Sequence, residues 1–116
     1  TEALYRSYYA LMLQMVKTGL FSGVAHPDSI KSFHHYPTGD FSAVYRELAD
    51  ELNARGMYSE QSGGLALNYG FEERGMNRTM LDIFRSRNVA IRFASDAHRP
   101  EDVGANIAEM QAALLV

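Results

Sequence analysis

The chain has 116 residues, 47% of them hydrophobic, with a formal net charge of -3 and no cysteine. This is one domain's worth of polypeptide, and its apolar content supports a packed core rather than a disordered chain. The mild negative charge gives no long-range pull toward nucleic acid or an anionic membrane, and the lack of cysteine excludes disulfides and thiolate metal sites.

The first segment starts without Met, and Thr1-Glu2-Ala3-Leu4-Tyr5-Arg6 runs almost at once into a helical pattern, as expected of a piece of a longer chain. It carries no signal-peptide pattern. Leu4, Tyr5, Tyr8, Tyr9, Met12, Met15 and Val16 fall at helical spacing on one stripe, and Gly19 sits where a left-handed cap would end it. The short apolar run from Leu20 to Ala25 predicts a buried strand. Polar and aromatic residues through Tyr36-Pro37-Thr38-Gly39 then read as a loop. Asp40 is a good N-cap for a second helix with Phe41, Val44, Tyr45, Leu48 and Leu52 on one face.

Met57 to Gln61 predicts a short strand, and Gly63-Gly64 through Gly75 a long loop. Asn77 can cap a third helix carrying Met80, Leu81, Ile83 and Phe84. Val89 to Phe93 reads as a third strand, and Pro100 suits the first turn of a last helix with Val103, Ile107, Met110 and Leu114 on its stripe. Strands alternating with helices imply an α/β fold of about three parallel strands with right-handed crossovers. Three strands make a thin sheet with exposed pairing edges, so the expectation is part of a larger barrel. No apolar run approaches the roughly 18 to 20 residues that cross a bilayer.

Residues with chemical potential cluster after two strands. His26 follows the first, and Asp96 and His98 follow the third. In barrels and open parallel sheets the C-terminal strand ends form the active face, so these groups can converge. Side chains two apart in an extended backbone point the same way, which lets Asp96 and His98 reach one ion. Imidazole with carboxylate suits zinc, manganese or iron. The alternative is that Asp96 and His98 satisfy backbone groups at a turn before the last helix.

Val24-Ala25-His26-Pro27-Asp28 and Ser95-Asp96-Ala97-His98-Arg99-Pro100-Glu101-Asp102-Val103-Gly104 together resemble two late motifs of the polymerase-and-histidinol-phosphatase (PHP) family. Ser62-Gly63-Gly64-Leu65 and Gly75-Met76-Asn77 look like its histidinol-phosphatase branch. The resemblance covers residues 1–116 and implies the C-terminal part of a distorted parallel (β/α) barrel. It implies His26, Asp96 and His98 as metal ligands, about two or three divalent ions in the whole enzyme, and hydrolysis of a small phosphorylated metabolite, histidinol phosphate above all, by a metal-activated water. A nucleotide or another phosphomonoester fits the same chemistry. The competing, non-enzymatic reading is a domain that keeps the barrel face without catalysis, against which stands the retention of His26, Asp96 and His98 together.

The family's early motifs are absent, so an incomplete metal site and an inactive isolated chain are expected, together with self-association or pairing with the missing N-terminal half. The family often has Glu followed two places later by Asn, whereas Glu60 here precedes Gln61 and Ser62, and its facing depends on a one-residue register. Arg99, near a helix start, can hold phosphate or pair with Glu101 or Asp102. Lys31 can swing over the same face or stay a solvated loop lysine. Neither nucleic acid nor a membrane is expected as a partner, and a cytoplasmic location is.

Overall fold

The computed structural model describes residues 1–115. Helix α1 spans Glu2–Lys17, strand β1 Gly23–Val24, α2 Ser42–Ala54, β2 Tyr58–Ser62, α3 Gly64–Tyr69, α4 Arg78–Ser86, β3 Ala90–Ala94 and α5 Ile107–Ala113. Short 3-10 turns at Ser29–Phe33 and Pro100–Asp102 lie in the connections. The strands form one sheet in the order β1-β2-β3, parallel throughout, with Glu60 opposite Arg92 in register. The α/β class and the three parallel strands agree with the sequence pattern; the sheet is open rather than closed.

The apolar stripes explain the helices. Tyr5, Tyr9 and Val16 of α1, Leu48 and Leu52 of α2, and Met80 and Phe84 of α4 are buried in one cluster with Val24 and Met57. Leu4, assigned to the first stripe, faces outward. Asn77 caps α4 by accepting from the Met80 amide at 2.9 Å. The Asp40 carboxylate accepts from the Ser42 amide at 2.8 Å, so it serves the start of α2 as anticipated, although the helix begins one residue later than a strict N-cap would place it.

Several boundaries differ from the sequence pattern. Met57 and Val89, read as strand starts, donate their amides back to Leu52 and Phe84 and so close the ends of α2 and α4. Their side chains are buried, but their backbones belong to the helix exits, and each strand runs one residue later. Strand β1 has two residues rather than six because it pairs only with Tyr58 and Ser59, and Leu20 is 79% exposed. A helix, α3, stands where a loop was read. The last helix begins at Ile107: Asn106 at φ +64 breaks the run from Pro100, and Val103 is exposed. Among the described residues no helix is long and apolar enough to cross a membrane.

Candidate functional site

Parallel pairing sends the C-terminal ends of all three strands to one edge, and three chemically active side chains arrive there from three strands. His26 lies two residues past β1, Glu60 lies within β2, and Asp96 lies two residues past β3. With Ser62 and the Asp28–Lys31 pair they line one cavity of about 200 Å³. The one-residue register left open by the sequence is thereby resolved. Ser59 and Gln61 are buried toward Met76, whereas Glu60 opens on the cavity.

Two of these residues hold uncommon backbone conformations. His26 has φ +25 and Asp96 has φ +53, a region that non-glycine residues visit at a cost. Both positions border the same cavity, while His34, Asn88 and Asn106 hold positive φ elsewhere. Gly64 opens the space for Asp96: a Cβ there would lie well inside 3.0 Å of the Asp96 carboxylate. The Asn68 side-chain amide donates to the Asp96 carbonyl at 3.0 Å and ties the β3 exit to α3.

The opposite wall is an ion pair with little exposure. The Lys31 ammonium lies 2.9 Å from the Asp28 carboxylate and 2.6 Å from Glu73, and donates to the Gly75 carbonyl at 2.5 Å. An ammonium has three N–H groups, and here all three have acceptors. Asp28 in turn accepts from the Asn77 amide at 2.7 Å, which links the site to the N-terminus of α4. The Gln61 side chain holds the 74–76 segment in place, accepting from the Met76 amide at 2.8 Å and donating to the Arg74 carbonyl at 3.3 Å.

The structure brings together His26, Asp96, Glu60 and Lys31. It leaves His98 and Arg99 outside the cavity lining. Because Asp96 leaves the extended region, the alternation that would aim Asp96 and His98 the same way does not run through this turn. Arg99 pairs with Asp102 at 3.1 Å and Glu101 at 3.6 Å at the surface. Lys31 is neither a solvated loop residue nor an unengaged donor; it is a buried strut. Arg74 donates to Asn106 at 3.1 Å, while its neighbour Glu73 goes to Lys31. Sequence reading missed Glu73 because its partner lies 42 residues away, and no local pattern encodes that pairing.

The donors at the cavity are one imidazole and three carboxylates, of which Asp28 is taken by Lys31; the remaining His26, Glu60 and Asp96 are types that suit a divalent ion. Among the described residues, however, no three His, Asp or Glu side chains gather closely enough to hold one. The set therefore fits in kind but is short in number.

The chain is similar to a protein of Deinococcus radiodurans named as a probable histidinol-phosphatase, with 31% identity over 115 residues. The match takes in 91% of this chain, and the chain spans 40% of the relative's length. No protein-family profile matches the chain, and no solved structure matches it.

Proposed function

We propose that this chain is the C-terminal portion of a metal-dependent phosphomonoester hydrolase of the PHP family, acting on L-histidinol phosphate. The observation that carries the reading is the convergence of His26, Glu60 and Asp96, from three successive strands, on one cavity at the C-terminal edge of a parallel sheet. The partial similarity to a probable histidinol-phosphatase points the same way.

In this reading His26 and Asp96 hold a divalent ion, zinc, manganese or iron, with Glu60 beside them. His98, two residues along the same turn, belongs to the ligand set, and the rest of the shell comes from the preceding half of the barrel. When bound, such an ion would supply Lewis-acid activation of water and charge neutralisation at the phosphoryl group. The protein's own part is positional. Gly64 makes room for the Asp96 carboxylate, and the Asp28–Lys31 strut fixes the far wall. Arg99 reaches a substrate phosphate only by giving up Asp102 and Glu101. A cytoplasmic setting and self-association through the open sheet edges belong to the same proposal.

The test is phosphate release by the protein that carries this chain, with L-histidinol phosphate and a nucleoside monophosphate as parallel substrates. Selective hydrolysis of the former, abolished by a chelator and by Asp96→Asn, is the expected result. Hydrolysis of the nucleotide alone would remove the histidinol assignment, and indifference to both would remove the phosphatase. The shortage of gathered donors favours a second reading, a domain that keeps the face without the chemistry. Bound metal unchanged by His98→Ala, in a protein that hydrolyses neither substrate, would establish it.

A further inference from the structure

The cavity bordered by His26, Glu60 and Asp96 measures about 200 Å³, below the roughly 300 to 1,000 Å³ typical of a small-molecule site. A second cavity of about 300 Å³ shares the Leu65 wall with it. The 3-10 turn Ser29–Phe33 serves both as well: Ser29 and Lys31 line the first space, Ser32 and Phe33 the second. Helix α3 supplies the other side, Leu65 from its start and Tyr69 from its end.

The two compartments differ in chemistry. Asp28, Lys31, Glu60 and Asp96 make the first one charged, whereas no Asp, Glu, Lys or Arg lines the second. Its rings are Phe33, His34, Tyr69 and Phe71, none of which belongs to the hydrophobic core. Phe33 and Tyr69 are 65% and 68% exposed, so their faces are open to a ligand rather than used in packing. Exposed apolar side chains gathered in one groove mark a binding surface, as scattered ones do not.

The back of the groove is set in advance. His34 and Phe71 stack there with centroids 4.9 Å apart and planes inclined by 25°. Each is delivered by a left-handed turn. His34, at φ +60, closes the 3-10 turn, and its amide donates to the Lys31 carbonyl at 3.0 Å. Gly70, at φ +73, closes α3 and lets the Phe71 amide return to the Leu65 carbonyl at 3.3 Å. Lys31 is itself locked by Asp28, Glu73 and the Gly75 carbonyl, so the turn is fixed relative to the first cavity before any ligand arrives.

We infer that the second cavity takes the flat ring of the ligand whose phosphate end occupies the first, with Phe33 and Tyr69 as specificity-determining residues. The ring extends the His34–Phe71 stack between the two exposed aromatic side chains, and a short linker passes Leu65 to the charged compartment. This deepens the phosphatase reading of the first cavity and rests on it. It narrows the substrate class to phosphomonoesters with a planar ring a few bonds from the phosphate.

The experiment has a binding arm and a turnover arm, both on the protein that carries this chain. In the first, L-histidinol and the ring-free L-alaninol are titrated and followed by amide chemical shifts. L-Histidinol is expected to shift the amides of Phe33, His34, Tyr69 and Phe71 saturably, and L-alaninol to leave them in place. Tyr69→Ala should weaken L-histidinol binding about three- to tenfold, and Tyr69→Phe, which keeps the ring, should restore it. In the second arm, Tyr69→Ala and Phe33→Ala should each lower the ratio of kcat/KM for L-histidinol phosphate to that for L-alaninol phosphate by about three- to tenfold, chiefly through KM. Groove shifts without hydrolysis of either phosphate would support the ring site and remove the phosphatase reading alone. L-Histidinol shifting the groove no more than L-alaninol does, or a kcat/KM ratio unchanged in both alanine variants, would overturn the ring site even in an active phosphatase.

Discussion

Replacing Gly75 by alanine separates a local backbone requirement from the network built around it. Gly75 has φ +93, and a Cβ added there would fall well inside 3.0 Å of the Gln61 side-chain amide. Gln61 is 2% exposed and cannot swing into solvent. An L-residue held in the left-handed region costs about 1–2 kcal/mol. Displacing Gln61 also breaks its bonds to Met76 and Arg74, and a buried polar group left unpaired costs about 1–3 kcal/mol more. Gly75→Ala should therefore destabilise by about 2–5 kcal/mol. Gly70 supplies the control, because it has φ +73 but nothing within 4 Å of its added Cβ. Gly70→Ala should cost only the backbone share of about 1–2 kcal/mol. Urea denaturation of the two variants, followed by far-ultraviolet circular dichroism, measures the difference. Losses equal to within about 0.5 kcal/mol would show that Gln61 does not pin the 74–76 segment.

Lys31→Met strands Asp28, whose side chain is 6% exposed, and should cost about 3–5 kcal/mol in thermal or chemical denaturation. Glu73→Gln, at a side chain 43% exposed, should cost about 1 kcal/mol or less, and equal losses would contradict the assignment of Asp28 as the buried partner. In alkali, burial raises the phenol pKa of Tyr8, Tyr9 and Tyr45 above the ordinary value of 10.0. The unfolded chain ionises first, so stability is intact below pH 10 and falls as pH rises toward the folded values; phenolate absorbance should therefore appear together with unfolding. At the acid end, hydrogen bonds from Ser42 lower the Asp40 pKa from 3.8, so its contribution is present above that value and lost as pH falls through the folded one. Asp40→Asn should flatten the acid limb of a stability-versus-pH curve.

Local patterns made the helices legible. The stripe through Tyr5 and Tyr9, the stripe through Leu48 and Leu52, and the Asn77 cap all rest on contacts between residues a few positions apart, which sequence spacing encodes directly. The strand starts at Met57 and Val89 were misread by one residue because side-chain burial and backbone pairing part company there. Hydropathy reports only the first. Helix α3 was hidden by Gly63-Gly64, which looked like loop. The buried Gly64 instead opens the helix and clears space for Asp96, a reason that lies 32 positions further along the chain.

The candidate site follows the same division. Strand order and the C-terminal-edge rule brought His26 and Asp96 to one cavity, because parallel topology alone fixes that edge. Spacing does not by itself bring His98 into the cavity lining, since the two-residue repeat holds only while the chain stays extended and Asp96 turns it at φ +53. It failed at Lys31, whose place is set by Asp28 nearby and by Glu73 and Gly75 more than 40 residues on. That lysine closes one cavity and anchors the turn that lines the other, so the two spaces share a wall built from non-local ties. Loosening that wall at Glu73, the one exposed member of the trio, is the change that would disturb both cavities while sparing the helices whose packing rests on local stripes.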